Sequence, residues 1–148
     1  MIKFYTLAFI FDALGRVALI CKNRPESLAG KWNGIGGKVE PSDLDLYSAT
    51  VRELKEEAGI DIAPEQLKQV AIYSTDSYEI RVTAALVERL EVATLTDEEV
   101  RLFEYTKLFE DGAGLLLDPH AMLFLQAAYI AVTAQDPWIH AVITNRKP

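Results

Sequence analysis

The chain has 148 residues, half of them hydrophobic and a quarter charged, which excludes a disordered or low-complexity chain and fits one domain, 1–148. Acidic residues outnumber basic ones 22 to 15, a net −7 with histidine neutral. That balance argues against a nucleic-acid polymer or an anionic membrane as partner, but not against a small anionic ligand held locally.

Cys21 is the only cysteine, which excludes an internal disulfide and a multi-cysteine zinc site; it reads as a small core residue. No run reaches about 18 uninterrupted apolar residues, so no membrane span is predicted. Met1-Ile2-Lys3-Phe4 lacks the basic region and small-residue cleavage site of a secretory signal, and the expected compartment is the cytoplasm.

Ile2 to Phe11 is aromatic and β-branched, as a strand should be, and Arg16 to Lys22 is a second apolar run. Asp12-Ala13-Leu14-Gly15 between them predicts a hairpin turn. Asn23 to Lys31 reads as a polar loop. Lys22, Arg24 and Lys31 read as solvated loop charges, with phosphate contact as the alternative use. Trp32-Asn33-Gly34-Ile35-Gly36-Gly37-Lys38-Val39 follows, and glycines at three of four positions exclude a helix interior and permit close approach to a ligand.

A helix is predicted from about Asp43 to Ala58, with Ser42 as N-cap, Asp43 and Asp45 in its first turn, and Gly59 as the stop. Tyr47, Val51, Leu54 and Ala58 form its apolar stripe. Glu53, Glu56 and Glu57 stand at i, i+3 and i+4, three like charges on another face, and Arg52 can reach Glu56. Gln66 to Tyr73 and Tyr78 to Val87 read as strands joined by Ser74–Ser77, and Val100 to Tyr105 as a further strand. Asp111–Gly114 reads as a loop, and Asp118-Pro119 opens a last helix to about Ala134. The expected class is α/β, a mixed β-sheet between helices.

Three carboxylates beside a glycine-rich loop make a candidate site for a hard cation, Mg²⁺ or Mn²⁺, which bridges carboxylates to phosphates. Such a cation neutralises phosphate charge and acidifies a bound water, whose proton a free carboxylate can take. The alternative reading of the same residues is a solvated acidic helix face. His120 and His140 show no ligand or triad spacing, and no nucleophile elbow or Walker loop is present.

Gly37, then Asp43, then Arg52-Glu53-Leu54-Lys55-Glu56-Glu57-Ala58-Gly59-Ile60 resembles the signature box of the Nudix hydrolases. That box reads Gly, five residues, Glu, seven residues, Arg-Glu-U-x-Glu-Glu-x-Gly-U, with U aliphatic. The second half matches at every specified position. In the first half Asp43 replaces the glutamate, and eight residues separate it from Arg52, so one extra residue must be absorbed where loop meets helix. Element order and length along nearly the whole chain are similar to a MutT-type domain.

The resemblance implies an α/β/α sandwich and Mg²⁺- or Mn²⁺-dependent hydrolysis of a nucleoside diphosphate linked to another group. It implies Glu56 and Glu57 as main metal ligands, Glu53 as a further ligand or the base, Arg52 as the residue orienting a glutamate, and the Gly37 carbonyl as completing the metal shell. A fourth acid is expected from Glu98 or Glu99, with Glu99 preferred for its place next to the strand. The stretch from Trp32 to Val39 resembles that of oxidised-purine nucleoside triphosphatases, which implies Asn33 as a reader of the base; its alternative is a turn residue bonding nearby backbone. Lys38 and Asp118 are further substrate-binding candidates, Asp118 equally the N-cap of the last helix.

The expected reaction is hydrolysis of a (deoxy)nucleoside triphosphate to monophosphate and pyrophosphate. Hydrolysis of ADP-ribose or another nucleoside-diphosphate-X is the alternative within the fold, and a catalytically silent nucleotide-binding module the alternative outside enzymes. The partner is a small nucleotide, and the chain a monomer or homodimer.

Overall fold

The structure, a computed structural model, describes residues 1–110, 119–134 and 141–145. Asp118, the 111–114 loop and His140 lie outside them. Strand β1 (Lys3–Asp12) turns through Gly15 into β2 (Arg16–Cys21), the antiparallel hairpin expected from the sequence. A two-residue strand, β3 (Trp32–Asn33), pairs with β2, where the sequence reading has only loop. Helix α1 (Leu46–Ala58) follows, then β4 (Lys68–Thr75), β5 (Tyr78–Val87), β6 (Val100–Glu104), helix α2 (Pro119–Thr133) and β7 (Ala141–Asn145).

The sheet runs β3-β2-β1-β5-β4-β7, with β6 also paired to β2. It is mixed: β1 lies parallel to β5 and β4 parallel to β7, while the other pairs are antiparallel. Strand β7 is absent from the sequence reading. Strand β4 begins later than expected, because Pro64–Gln66 closes a 3₁₀ turn in which the Gln66 side chain accepts from the Ala63 amide.

Side chains alternate across a strand, so each strand serves two cores. Ala8, Ile10, Ala18 and Ile20 pack with Leu54 and Ala58 of α1. Phe9, Phe11, Val17 and Leu19 pack with Phe124, Leu125 and Ala128 of α2. The sheet is therefore filled between two helices, the α/β/α sandwich.

The start of α1 differs from expectation. Asp45, not Ser42, is the N-cap: its Oδ1 accepts from the Ser48 amide at 2.7 Å, and the first helical turn contains no acid. Asp43 is unavailable for that turn because its carboxylate is held by Arg52 and by the Glu40 amide. Leu44 between them projects 94% exposed, so the extra residue is absorbed as an outward bulge ahead of the helix. Gly59 ends α1 in the left-handed region at φ 67°, as expected.

Candidate functional site

The glycine segment runs along the edge of β1. Thr6 N–H donates to the Gly37 carbonyl at 2.9 Å, and Ala8 N–H donates to the Ile35 carbonyl at 2.7 Å. This pairing brings Gly37 against α1 so closely that a Cβ on it would sit 2.6 Å from the Glu53 carboxyl group. Gly37→Ala is therefore expected to displace the Glu53 side chain, whose far end can swing, and not the backbone. The metal-dependent hydrolysis expected from the sequence should fall at least about tenfold in that variant while the melting temperature stays within a few degrees; wild-type activity would detach Glu53 from the site.

Arg52 is the hub of the site. Its Nε and Nη2 form a fork on Asp43 at 2.9 Å each, Nη1 reaches Glu53 at 2.7 Å and Glu56 at 3.2 Å, and Nη2 also donates to the Lys38 carbonyl at 3.1 Å. Two-point contact of a planar guanidinium fixes its orientation as well as its position. The pairing holds the Asp43 carboxyl down at about 2, chiefly through the Arg52 hydrogen bonds and next through the Glu40 amide. Asp43 thus meets Arg52 despite the eight residues between them.

Glu57 stands deeper. Burial, the largest influence, pushes its carboxyl up to about 7; Lys22 and the Gly36 amide oppose the rise, and Glu53 and Glu98 add to it. Its Oε2 is buried and has no hydrogen-bond partner. A buried carboxylate oxygen without a donor is costly, and a cation would satisfy it. Burial also raises the Glu53 carboxyl, with Arg52 opposing and Glu56 and Asp43 adding.

Of the two candidates for a fourth acid, the structure turns Glu98, and not the preferred Glu99, toward the other carboxylates. Glu98 is 5% exposed, accepts from Lys22 Nζ at 2.7 Å and from the Asn23 amide at 2.6 Å, and acts electrostatically on Glu57. Glu99 points away: its side chain is 47% exposed and pairs with Arg101. Val100 opens β6 and packs in the α1 core, and Glu98 sits in the bend just ahead of it, where Lys22 and the Asn23 amide hold it. Alternation along β2 corrects Lys22, which continues the α1-facing row of Ala18 and Ile20 into the site instead of standing as a solvated loop charge. Arg24 does remain at the surface, paired with Asp97.

Asn33 accepts the amide of the adjacent Gly34 on its Oδ1 at 2.7 Å and leaves its NH₂ group as the free end. Lys38 has an exposed side chain; its carbonyl is what meets Arg52. Among the described residues no three acidic, histidine or cysteine side chains stand together as a ready-made metal cage. Three of the carboxylates are turned toward protein cations, Glu53 and Glu56 toward Arg52 and Glu98 toward Lys22, while Glu57 has no such ion pair among the described residues. The donor set is nonetheless the oxygen-rich kind a hard cation takes, with a glycine carbonyl alongside.

Residues 2–124 match the family model described as NUDIX domain. A zebrafish (Danio rerio) protein named oxidized purine nucleoside triphosphate hydrolase is 36% identical, over 52% of this chain and 56% of that protein. An Escherichia coli K12 protein named CTP pyrophosphohydrolase is 42% identical, over 37% of this chain and 40% of that protein. The chain thus spans about half the length of these two relatives. The NUDIX domain of Shewanella oneidensis NrtR, solved with ADP ribose, shares the fold at a TM-score of 0.74 with 14% identity, covering 87% of each chain.

Proposed function

The chain belongs to the NUDIX domain family, and on that premise we propose that it is a divalent-metal-dependent hydrolase of a (deoxy)nucleoside triphosphate, giving monophosphate and pyrophosphate. The observation that carries the metal-dependent part is the buried, partnerless Glu57 Oε2 on a helix that also presents Glu53 and Glu56. The triphosphate preference draws support from the Trp32–Val39 stretch and from the two relatives, each named for hydrolysis of a nucleoside triphosphate.

Glu56 and Glu57 would hold Mg²⁺ or Mn²⁺, with Glu53 and Glu98 in reach as further oxygen donors or as the base. The Gly37 carbonyl spends one lone pair on Thr6 N–H and keeps the second. Such a cation, when bound, neutralises phosphate charge and supplies an acidified water. Arg52 holds Glu53 and Glu56 in place from one side through a guanidinium itself fixed by Asp43. Lys22 pairs with Glu98 and holds it aimed at the same corner. Asn33, its oxygen already occupied, would donate to an acceptor atom on the base edge.

The test is a hydrolysis screen in Mg²⁺ across nucleoside triphosphates, nucleotide sugars and dinucleoside polyphosphates, with products identified. Monophosphate and pyrophosphate from a triphosphate are the expected result. AMP and ribose phosphate from ADP-ribose as the dominant products would replace the triphosphate reading, and no turnover of any substrate would return the chain to a binding module.

A further inference from the structure

Between β1 and α1, inside an otherwise apolar contact, lie two buried threonines. Thr6 on β1 is 2% exposed and Thr50 on α1 is 0% exposed. Their hydroxyl oxygens are hydrogen-bonded to each other, and Thr50 Oγ1 donates to the Leu46 carbonyl at 2.8 Å. A hydroxyl has one proton, so with that of Thr50 spent on Leu46, Thr6 is the donor in the bond between them. The order is Thr6 hydroxyl to Thr50 hydroxyl to Leu46 carbonyl.

Thr6 also sets the glycine segment from its backbone. Its amide holds the Gly37 carbonyl at 2.9 Å. Its own carbonyl oxygen would lie 2.0 Å from a Cβ on Gly36, so the two backbones are in direct contact there. Thr50 precedes Glu53 by three residues and Glu57 by seven, which places all three on one side of α1. One residue on the strand therefore fixes the carbonyl and the glycine pair, and one hydroxyl bond ties it to the helix that carries the glutamates.

A pair of valines would fill the same volume without the desolvation cost of two hydroxyls. What the hydroxyls add is a directional contact that fixes how far α1 stands from β1. We propose that Thr6 and Thr50 are positioning residues, whose mutual hydrogen bond sets the spacing between the Gly37 carbonyl and the Glu53 and Glu57 carboxylates and so the affinity of that corner for its divalent cation. This inference rests on the metal-site reading given above.

The experiment titrates Mn²⁺ alone into wild-type, Thr50→Val, Thr50→Ser and Thr6→Val proteins by calorimetry, with melting curves and steady-state kinetics beside it. Thr50→Val should bind Mn²⁺ about tenfold more weakly, the size of effect that residues supporting metal ligands produce. Its kcat should fall while KM for the nucleotide stays within about twofold. Thr50→Ser, which restores the hydroxyl, should recover wild-type Mn²⁺ affinity. Thr6→Val should match Thr50→Val in Mn²⁺ affinity, and the double valine variant should bind no more weakly than either, because the Thr6–Thr50 bond is missing from all three. Thr6→Val keeps the question open to an answer if Thr50→Val does not fold.

Unchanged Mn²⁺ affinity in the folded valine variants overturns the positioning role even if their melting temperatures drop. A serine variant as weak as the valine one overturns it as well, since packing and not the hydroxyl would then be responsible. A wild-type protein that takes no Mn²⁺ overturns the metal-site reading itself, a result distinguishable from the other two.

Discussion

Glu57→Gln is expected to abolish most of the Mg²⁺-dependent hydrolysis while leaving the metal-free protein as stable as the wild type or more so. The activity loss should be on the order of 10² to 10³ in kcat, the range for removing one preorganised electrostatic group from a reacting centre. The stability effect has the opposite sign because Glu57 is poorly accommodated in the fold: its Oε2 has no partner, and burial with Glu53 and Glu98 nearby pushes its carboxyl from 4.5 to about 7. A folded-state value above the unfolded one means that the contribution is fully present below about pH 4.5 and is lost as pH rises through 7. In chelator, wild-type stability should therefore decline between pH 5 and pH 8, by at most about 3 kcal/mol from this group, and the glutamine variant should lose that slope. Melting curves at the two pH values measure it. A variant that hydrolyses as fast as wild type in Mg²⁺ would remove Glu57 from the site; one that is inactive because it is unfolded would contradict the stability argument.

The site was legible in the sequence where the helix imposes its own geometry. Arg52, Glu53, Glu56 and Glu57 are fixed relative to one another by helical spacing, and the structure brings Arg52 to Glu56 as that spacing requires, while its contact with the adjacent Glu53 is one the spacing does not announce. Legibility failed where position depends on which way a chain end faces. Glu99 and Glu98 look equivalent in a row of acids, and which of them faces inward turns on a bend ahead of β6 and on Lys22, a residue 76 positions away. Lys22 was hidden in the same way, one residue beyond the end of a strand. The Ser42 cap failed for a different reason: Ser42 and Asp43 are good local caps, but the long-range pull of Arg52 on Asp43 outweighs a local helix turn and passes the cap to Asp45. Strand β7 carries no alternation or turn signal strong enough to separate it from a surface tail, and only its parallel pairing with β4 defines it. The two-sided sandwich, in contrast, was readable from the order of elements alone.

Asp12→Ala is expected to be strongly destabilising, by about 3 kcal/mol or more, because it removes a buried carboxylate that accepts from three amides and from the part-buried Arg16 guanidinium. The Asp12 side chain is completely buried at the end of β1. It accepts the amides of Leu14, Arg16 and Leu90 at 3.0, 3.1 and 3.1 Å, and the Arg16 guanidinium through Nε at 2.9 Å and Nη2 at 2.6 Å. Arg16 in turn donates to the Leu90 carbonyl at 3.1 Å, so one carboxylate joins the β1–β2 turn to the segment that follows β5. Burial by itself would raise its pKa; the Arg16 side chain and the Leu90 and Arg16 amides outweigh that and hold it below its ordinary value. The sign follows: the contribution is present above the unfolded value of 3.8 and is lost as pH falls below it toward the folded value. Alanine leaves three amides and a guanidinium without their acceptor, and the melting temperature should fall by roughly 10 °C or more. Asp12→Asn keeps the shape and part of the hydrogen bonding but loses the charge opposite Arg16, so it should fall between wild type and alanine and should not share the wild type's loss of stability in acid. Kinetic constants per folded molecule, measured well below the transition, should match the wild type, since Asp12 touches none of Glu53, Glu56, Glu57 or Arg52. A melting temperature unchanged in Asp12→Ala would show that the hairpin turn holds without this carboxylate.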